Sequence, residues 1–381
     1  MKKLVFNATI LNNNPTGLGV YCKNVLSRMD KNLYDYVVYT DEFNGKKVDN
    51  KKSITLNIKS KNKLKSIFLR SYKFKKFIAS QKEIVNYSPT QHGVTKKNIK
   101  QIVTVHDLMP LYFPKGRVQQ YIYYKYLLKK IMKNSEIVIT CSNNTKNDII
   151  REYNISPNRI KVIYDGFDRP KIPIDKKSSK EYIKNKYGIE NYIFMMGIHY
   201  NYKNLHSVIE AYSEIRDKLT IPLVIAGGDK GKYAIELKKL VEEKGLEDKI
   251  KFLGYIPDED KDLLYQAAYM FIYPSKYEGF GLPVLEAMAN NTIVACSNTS
   301  SLPEVVGDAA LKFNPDNIIE IKEIMLKIIS LSSDEYQAWI KKGLNQIEKF
   351  SWEKCTREIE DVIKSVVIGD WCGKKSQYNI S

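Results

Sequence analysis

The most informative stretch is Glu278-Gly279-Phe280-Gly281-Leu282-Pro283-Val284-Leu285-Glu286, which follows an apolar run that ends in Pro274-Ser275. This order predicts a buried strand, a tight loop and a helix that begins near Pro283, because proline is favoured in a first helical turn. Such a layout directs backbone N–H groups into the crevice at the carboxyl end of a parallel strand. Glu278 on the loop and Glu286 about one turn inside the helix can then face one ligand. Backbone donors suit phosphate and carboxylates suit sugar hydroxyls, so the stretch predicts a nucleotide-sugar site.

The same stretch resembles the E-x7-E signature of the family 4 retaining glycosyltransferases, which have the two-domain GT-B architecture. The agreement extends to Pro274-Ser275 before the stretch, to Glu-Ala-Met-Ala at 286–289 and to Ser-Leu-Pro-Glu at 301–304. The alternative is a loop and an amphipathic helix packed for stability alone. That alternative does not explain two glycines and two carboxylates around one turn. The resemblance covers residues 1–367, and its most specific motifs lie within 192–310.

The resemblance implies an α/β fold of the GT-B type, with two Rossmann-like domains facing a central cleft and a C-terminal helix that crosses back to the first domain. At 381 residues the chain can form two domains that each bury a core. We expect an N-terminal acceptor domain over 1–170 and a linker over 171–185. The remaining predictions are a nucleotide-sugar donor domain, a crossover helix and a mobile tail, over 186–350, 351–368 and 369–381.

Family precedent also implies where the donor binds in the second domain. Glu278 is expected beside the donor sugar hydroxyls and Glu286 on the ribose. The backbone of the intervening loop is expected near the sugar and the phosphates, through Gly279, Phe280, Gly281 and Leu282.

A second donor-binding loop follows the predicted strand 192–197. The family grips the donor diphosphate there with an arginine and a lysine, and the matching positions here include Gly197, Lys203 and Asn204. Lys203 matches the lysine, which would stabilise the charge of the leaving group. The arginine is missing, because Tyr202 precedes Lys203 and Ile198 follows the glycine. The alternative is that Lys203 is an ordinary loop lysine whose side chain is only solvated.

Two features of the first domain resemble the family as well. Gly17 and Gly19 follow the first strand and precede a helix expected to begin near Val20, and glycines there let the backbone approach a ligand closely. A G-x-G turn is equally compatible with packing, but the family carries a similar loop facing the donor phosphates and the acceptor. His106 lies near the carboxyl end of the apolar strand predicted over 102–108 and matches a strand-end His-Asp of the family, whose histidine lies beside the donor sugar. A lone histidine is otherwise more often structural.

The implied reaction transfers a hexosyl group from a nucleotide sugar to an acceptor hydroxyl with retention of the anomeric configuration. His106, Lys203 and Glu278 are the predicted catalytic residues. No side chain is an evident covalent nucleophile, so the mechanism expected is front-face attack assisted by the leaving phosphate. By resemblance to bacterial capsule and O-antigen enzymes, guanosine-diphosphate mannose and deoxythymidine-diphosphate rhamnose are the predicted donors. The predicted acceptor is a glycan or a lipid-linked saccharide of a surface polysaccharide.

The charge is concentrated in the N-terminal half of the chain. Residues 1–170 hold 32 Lys and Arg against 12 Asp and Glu, whereas residues 171–381 hold 29 against 31. Such a basic half suits an anionic membrane or nucleic acid. It can also be compositional, since the chain is rich in Lys, Asn, Ile and Tyr. We predict an anionic membrane partner and no nucleic acid, because the basic half lacks a nucleic-acid-binding motif.

A basic helix is predicted between Lys59 and Lys82, inside a span from Asn50 to Lys82 that contains no acidic residue. A basic amphipathic helix can lie on an anionic bilayer. We expect Lys61, Lys65, Lys73 and Lys76 to meet the lipid head groups. The alternative is an ordinary surface helix with a solvated face.

No cofactor and no metal are predicted. Asp258-Glu259-Asp260 contains the D-x-D spelling of some metal-dependent glycosyltransferases, but proline followed by acids is also a helix start. The five cysteines form no C-x-x-C pair and suggest reduced thiols.

No run reaches the ~20 apolar residues of a membrane span. The expected location is therefore cytoplasmic, with possible peripheral attachment to the inner face of the plasma membrane. A basic nucleic-acid- or membrane-binding protein of the same fold without transferase activity is the alternative.

Overall fold

The structure is a computed structural model that describes residues 2–13, 16–48, 52–58, 63–197, 200–228 and 230–368. The chain divides into two compact units. The first unit comprises residues 1–166 and the chain from Phe350 onward, and the second unit comprises residues 167–349. The C-terminal helix therefore belongs to the same unit as the N-terminal half, as the fold prediction requires.

The first unit is built on a parallel sheet of seven strands. They are β1 (Lys3–Asn7), β2 (Tyr36–Thr40), β3 (Ser53–Leu56), β4 (Ile84–Ser88), β5 (Lys100–Thr104), β6 (Ile137–Thr140) and β7 (Ile160–Val162). Their order is β3-β2-β1-β4-β5-β6-β7, and every adjacent pair is parallel. The order reverses direction between β1 and β4, which makes this half Rossmann-like.

Helices cover the sheet of the first unit. They are α1 (Gly17–Arg28), α2 (Lys63–Ser80), α3 (Met109–Tyr112), α4 (Val118–Ile122), a π-helical turn (Tyr123–Leu128), α5 (Lys129–Lys133) and α6 (Asn143–Tyr153), with the C-terminal helix at Trp352–Ile368. The C-terminal helix packs on α1 in one apolar cluster that includes Tyr21, Val25, Trp352 and Ile359. Gly166 is required beside it, because a Cβ there would lie 2.3 Å from the Trp352 backbone nitrogen.

The second unit repeats the design with a parallel sheet of six strands. They are β8 (Ile193–Met196), β9 (Leu223–Ala226), β10 (Ile250–Gly254), β11 (Met270–Tyr273), β12 (Ile293–Ser297) and β13 (Leu311–Phe313). Their order is β10-β9-β8-β11-β12-β13. The direction reverses between β8 and β11, the two strands whose following loops carry most of the predicted site residues.

The helices of the second unit surround that sheet. They are α7 (Lys176–Tyr187), α8 (Leu205–Ile215), α9 (Lys232–Glu243), α10 (Asp258–Ala267), α11 (Leu282–Ala289), α12 (Leu302–Val306), α13 (Ile318–Ile329) and α14 (Ser333–Ile347), and the C-terminal helix of the first unit is numbered α15. Helix α11 begins at Leu282 with Pro283 in its first turn, as the sequence predicts. None of the helices in the described part of the chain is long and apolar enough to cross a membrane.

Two boundaries and one strand differ from the predictions. Residues 171–185 were expected to be a linker, but α7 begins at Lys176, is capped by the Asp175 carboxylate and packs on α10 within the second unit. Helix α1 begins at Gly17, one turn earlier than Val20. Strand β4 was not predicted, although it pairs with β1 and β5 at the centre of its sheet. The tail predicted over 369–381 lies outside the described residues.

Candidate functional site

The principal candidate site lies in the second unit, where the strand order reverses. Ligands of open parallel sheets bind beyond the carboxyl ends of the strands at such a point. The loop after β8 carries Gly197 and Lys203, and the loop after β11 carries Glu278. The two loops are joined by a hydrogen bond from the Lys276 backbone N–H to the Tyr202 carbonyl oxygen, at 2.8 Å. The topology therefore brings together two predicted motifs that are far apart in sequence.

Lys203, Tyr273 and Glu278 form a connected triad at this point. Lys203 Nζ lies 2.6 Å from Glu278 Oε1 and 2.7 Å from the Tyr273 hydroxyl oxygen. The Tyr273 hydroxyl donates to the same Glu278 oxygen at 2.8 Å. The side chains of Lys203 and Glu278 are only 16% and 14% exposed. Two of the three predicted catalytic residues are thus in direct contact.

The electrostatics of the triad keep its donors protonated. Burial would lower the pKa of Lys203, but the Glu278 carboxylate outweighs burial and the pKa of Lys203 is raised. Burial raises the pKa of Tyr273 well above its ordinary range, and the charge of Glu278 adds to that effect. Lys203 is therefore a cation and Tyr273 a neutral hydrogen-bond donor at neutral pH.

The loop between β11 and α11 is held by Ser301 of the downstream Ser-Leu-Pro-Glu segment and by Ser300 just before it. Ser300 Oγ donates to the Glu278 carbonyl oxygen at 2.7 Å and accepts from the Glu278 N–H at 3.1 Å. Ser301 Oγ donates to the Phe280 carbonyl oxygen at 2.7 Å. These bonds fix the peptide planes of the loop, and with them the direction of its amides, without using the Glu278 carboxylate.

Glycine is required at two positions beside this loop. Gly281 has a φ of +119°, and a Cβ there would lie 2.7 Å from Leu302 Cδ2. Gly197 has a φ of +101° and lies under the Lys203 side chain, whose Cδ would be 3.6 Å from an added Cβ. Both residues adopt a conformation that L side chains rarely take. Their predicted role in ligand binding stays a prediction.

Glu286 is held by two donors from one helix. Lys261 Nζ lies 2.8 Å from Glu286 Oε1, and the Tyr265 hydroxyl donates to Glu286 Oε2 at 3.3 Å. Lys261 and Tyr265 are one turn apart on α10, so they face the same side. The Tyr265 hydroxyl also lies 3.8 Å from Met196 Sδ, at the end of β8. Glu286 therefore faces the strand end that precedes Gly197.

Two residues of the β8 loop have structural roles. Asn204 is fully buried, donates to the Pro315 carbonyl oxygen at 2.7 Å and accepts from Ser207 Oγ at 2.8 Å. The prediction that Asn204 binds the donor is therefore corrected for its side chain, which fixes the turn that carries Lys203. Tyr202, at the expected arginine position, is 8% exposed, and Lys203 Nζ lies 5.4 Å from its ring centroid. Ile198 lies outside the described residues.

The D-x-D spelling has a structural explanation. Asp258, Glu259 and Asp260 form the first turn of α10, where negative charge is favoured, as the sequence predicts. Asp260 is fully buried, and its carboxylate accepts from Tyr182 at 3.0 Å and from Tyr187. Lys186 Nζ lies 2.7 Å from it. Asp260 therefore joins α7 to α10.

His106, the third predicted catalytic residue, belongs to the first unit and follows β5. Its Nε2 lies 3.1 Å from the Pro89 carbonyl oxygen and its Nδ1 lies 3.7 Å from Asp165 Oδ2. Both neighbours are acceptors, so both ring nitrogens are best satisfied as N–H donors. Burial would lower the pKa of His106, but the Asp165 carboxylate and the Pro89 carbonyl outweigh it and the pKa is raised. The ring also meets Tyr21 edge-on, with centroids 4.3 Å apart.

One group of side chains among the described residues could hold a metal ion. It comprises His106, Cys141 and Asp165, whose ligand atoms all lie within 4.8 Å of one another. The Cys141 thiol, however, lies 3.1 Å from the His106 carbonyl oxygen as a hydrogen-bond donor, and the imidazole is directed at Pro89 and Asp165. These contacts suit protonated side chains rather than deprotonated ligands.

Gly17 and Gly19 occupy the first turn of α1 rather than the loop before it. A Cβ at Gly17 would meet nothing within 4 Å. Gly19 is buried on the inner face of the helix. The first turn directs its backbone N–H groups away from the helix, which is the arrangement that binds anions.

Comparison with known proteins identifies the family. The model described as "Glycosyltransferase Family 4" matches residues 15–170, and the model "Glycosyl transferases group 1" matches residues 177–346. O-antigen chain mannosyltransferase B of Escherichia coli is 35% identical over 274 residues, covering 70% of this chain and 70% of that protein. The chain belongs to the family 4 glycosyltransferases. It is a glycosyltransferase with two Rossmann-like halves, as the resemblance of its motifs implies.

One further relative and one solved structure are also similar to this glycosyltransferase. The O-antigen chain mannosyltransferase RfbU of Salmonella typhimurium is 35% identical over 228 residues, which cover 60% of each chain. Among solved structures, Anabaena HepE, crystallised with UDP and glucose, superposes with a TM-score of 0.71 at 18% identity, over 96% of this chain and all of that one. At that identity the likeness establishes the shared GT-B fold alone.

Sequence reasoning missed three residues that contact the predicted glycosyltransferase site. Tyr273 is the last residue of the apolar strand β11, and its position at the strand end was the only signal. Lys261 lies three residues beyond Asp258 in an ordinary amphipathic helix, so no pattern distinguishes it. The contact of Asp165 with His106, 59 residues earlier, was not predicted and depends on the sheet order of the first unit.

Proposed function

We propose that this glycosyltransferase transfers a mannosyl group from guanosine-diphosphate mannose to a saccharide acceptor during synthesis of a surface polysaccharide, with retention of the anomeric configuration. The observation that carries the proposal is the contact of Lys203 with Glu278 at the point where the sheet of the second unit reverses. A cation for a diphosphate and a carboxylate for sugar hydroxyls are thereby held side by side. Mannose is favoured because two relatives at 35% identity are O-antigen mannosyltransferases.

The chemistry assigned to the site follows from these side chains. The acceptor hydroxyl oxygen forms a bond to the anomeric carbon on the face from which the bond to the β-phosphate oxygen breaks. The hydroxyl proton passes to that departing phosphate oxygen. Lys203 stabilises the negative charge that develops on the phosphate. Glu278 orients the sugar, Glu286 binds the ribose, and the amides of Gly279 to Leu282 contact the sugar and the phosphates.

Donor binding would rearrange the Lys203–Glu278 contact. Without a ligand, the two charges neutralise each other in a site that is largely buried. A nucleotide sugar offers hydroxyls to the carboxylate and a diphosphate to the ammonium group, so each partner gains a ligand of its own. Tyr273 contacts both residues and can hold their relative positions during this exchange. His106, beside Asp165 in the first unit, is also proposed to contact the donor sugar.

We propose that the reaction needs no divalent cation and no cofactor. Lys203 and the amides at the start of α11 can neutralise the diphosphate. The carboxylate of Asp260, the last residue of the D-x-D spelling, is already bound by Lys186, Tyr182 and Tyr187 within the protein. Activity that disappears with EDTA and returns with magnesium would contradict this proposal.

The acceptor and the location are proposed from the charge of the N-terminal half. The basic N-terminal half suits an anionic membrane surface, and an acceptor carried on a lipid would be presented there. A cytoplasmic enzyme attached peripherally to the inner face of the plasma membrane meets both requirements. Deoxythymidine-diphosphate rhamnose is the alternative donor. A protein of this fold that binds nucleic acid or membranes without transferase activity is not favoured, because the catalytic candidates Lys203, Glu278 and His106 are all present.

Titration calorimetry with single nucleotides tests the donor proposal. Guanosine diphosphate is expected to bind more tightly than uridine or deoxythymidine diphosphate, and Lys203→Met should weaken it. Guanosine-diphosphate mannose is expected to bind to the same site in competition with guanosine diphosphate. Preference for deoxythymidine diphosphate would select the rhamnose alternative, and binding of none of the three would contradict the site itself.

A further inference from the structure

A patch of exposed apolar side chains lies on the helical segment 118–133 of the first unit, which consists of α4, the π-helical turn and α5 and is called here the docking helix. The exposed fractions are 64% for Val118, 48% for Ile122, 56% for Tyr126 and 44% for Leu127. Twelve large apolar residues are exposed in the described part of the chain, and these four fall within ten positions. Single exposed apolar residues are ordinary, whereas a cluster of them marks an interaction site.

The exposed residues are not needed to hold the docking helix in place. Its inner face, which includes Tyr124, Leu128 and Ile131, packs in an apolar cluster with strands β5 and β6. The Tyr153 hydroxyl also donates to the Tyr124 carbonyl oxygen at 3.0 Å. A π-helical turn carries an extra residue and is frequent at functional sites. The structure therefore fixes the helix by one face and presents the other to solvent.

The same segment is strongly basic. Residues 108–135 contain no Asp or Glu, but they contain six cations, namely Lys115, Arg117, Lys125, Lys129, Lys130 and Lys133. Four of them, Lys125, Lys129, Lys130 and Lys133, have no described carboxylate within ion-pair distance. Lys125 Nζ instead donates to the Tyr121 hydroxyl at 3.1 Å. These lysines are exposed, so their charge is available to an external anion.

A groove of about 680 Å³ runs beside this basic face. Its lining includes Tyr112, Tyr121 and Tyr126 with Lys125, Lys129 and Lys133. Glu152 also lines it, but its carboxylate is engaged by Arg151 Nε at 3.0 Å and by the Tyr112 hydroxyl at 3.0 Å. The groove thus offers the ammonium groups of Lys125, Lys129 and Lys133, which are suited to the oxygens of phosphate head groups.

We propose that the docking helix attaches this glycosyltransferase to an anionic lipid bilayer. Val118, Ile122, Tyr126 and Leu127 enter the interfacial region, and the lysines meet the phosphate groups of the lipids. This inference rests on the membrane association given above and assigns it to a surface. Exposed aliphatic residues beside lysines favour a bilayer over duplex DNA, whose non-specific binding rests on charge.

The sequence predicted membrane docking through helix α2, whose exposed side chains differ from those of the docking helix. Phe74 and Ile78 are buried in the apolar cluster of β1 and β2. Among the described side chains of α2, Tyr72 is exposed together with Lys75 and Lys76. The side chain of Lys65 and all of Lys61 lie outside the described residues. Tyr72 is the one exposed large apolar residue among the described side chains of α2, so Lys75 and Lys76 provide a matched control, and docking through α2 stays a prediction.

Sedimentation of the full chain with vesicles tests the charged part of the inference. Vesicles of phosphatidylglycerol and phosphatidylethanolamine are compared with neutral phosphatidylcholine vesicles, without donor or acceptor. Each lysine near an anionic surface adds roughly fivefold to binding. Lys129→Glu with Lys133→Glu should therefore lower binding to the anionic vesicles at least tenfold. The control pair, Lys75→Glu with Lys76→Glu on α2, changes the charge equally and should have a much smaller effect.

The apolar part has its own matched variants. Ile122→Ser should weaken vesicle binding severalfold at any salt concentration, whereas Ile235→Ser, at a 61% exposed position in the second unit, should not. Equal effects of the two lysine pairs, or of the two serine variants, would overturn the assignment to the docking helix. Binding to a short DNA duplex instead of vesicles, lost in the Lys129/Lys133 variant, would also overturn it.

The failure of this inference can be told apart from failure of the proposed function. If the wild-type chain does not bind anionic vesicles, the proposed membrane association is wrong as a whole. If the wild type binds and the docking-helix variants bind equally well, only the surface is wrong. Transfer to a soluble saccharide acceptor is measured on the same variants and should be unchanged. Circular dichroism of each variant confirms that the exposed substitutions leave the fold intact.

Discussion

Lys203 Nζ lies 2.6 Å from Glu278 Oε1, although 75 residues separate the two in sequence. Each residue stands on a loop that follows one of the two strands between which the sheet of the second unit reverses. A largely buried ion pair of this kind contributes little to stability by itself, because both groups lose hydration. Its presence is better explained by a ligand that uses both charges.

Breaking the Lys203–Glu278 pair from one side should cost more stability than removing both charges. Lys203→Met leaves a buried carboxylate and Glu278→Gln leaves a buried ammonium group, each of which should lower the free energy of unfolding by roughly 3 kcal/mol. The double variant should recover most of that loss. Nucleotide binding should not recover, because neither the diphosphate nor the sugar regains its partner. Urea unfolding and calorimetry on the same four proteins give both quantities. Recovery of binding in the double variant would assign the pair a structural role alone.

Glu286 should bind the ribose of the donor nucleotide. Glu286→Ala is expected to weaken guanosine diphosphate binding by ~1.5–3 kcal/mol, the range for a lost charged hydrogen bond. The wild type should lose a similar amount with a 2′,3′-dideoxy nucleotide, and the variant should not distinguish the two ligands. Lys261→Met should have a smaller effect, because Tyr265 still holds Glu286. Unchanged affinity of Glu286→Ala in calorimetry would contradict the assignment.

The sequence predicted those parts of the fold and site that depend on local chemistry. Pro283 lies in the first turn of α11, as the sequence predicts. Pro257 and the following acids begin α10 as predicted. In each case a residue within one turn determines the outcome.

The features that the sequence did not predict depend on distant contacts. Strand β4 contains Asn86, a polar residue that lowers the apolar signal, but Asn86 is buried and donates to Ser88 Oγ at 3.2 Å. The partners of Lys203 and Glu286 are decided by strand order and helix orientation, which no single segment encodes. Asn204 matched a binding motif, yet its side chain is used within the protein.

The stability contributed by His106 should decline as pH rises. Its pKa in the folded chain is raised above the ordinary 6.5, so the favourable contact with Asp165 is complete below that value and is lost as pH rises through the folded pKa. The difference in unfolding free energy between the wild type and His106→Gln should therefore be larger at pH 6 than at pH 9. Urea unfolding at both pH values measures it.

Asp165→Asn is the matched variant for this effect. It removes the charge that favours the imidazolium while keeping the size of the side chain. In the Asp165→Asn background, the effect of His106→Gln should no longer depend on pH in this range. A difference that is the same at pH 6 and pH 9 in the wild-type background would show that His106 is neutral in the folded chain.

Gly17 and Gly281 should respond differently to alanine. At Gly281 the φ of +119° and the close Leu302 side chain make Ala strained, so thermal stability should fall. At Gly17 a Cβ meets open space in the first turn of α1, so stability should be unchanged or slightly higher. If the α1 turn approaches the substrates, Gly17→Ala should still lower the transfer rate. Normal activity of Gly17→Ala would remove Gly17 from the predicted site.

The most direct test of the central claim is mass spectrometry of the products formed from a panel of nucleotide sugars and saccharide acceptors. The panel includes guanosine-diphosphate mannose, deoxythymidine-diphosphate rhamnose and uridine-diphosphate glucose, with Glu278→Gln as the inactive control. We predict that guanosine-diphosphate mannose alone adds one hexosyl group to an acceptor, and that nuclear magnetic resonance shows the α-anomeric linkage of the donor retained. Transfer from another donor, an inverted linkage, or equal product with Glu278→Gln would contradict the account.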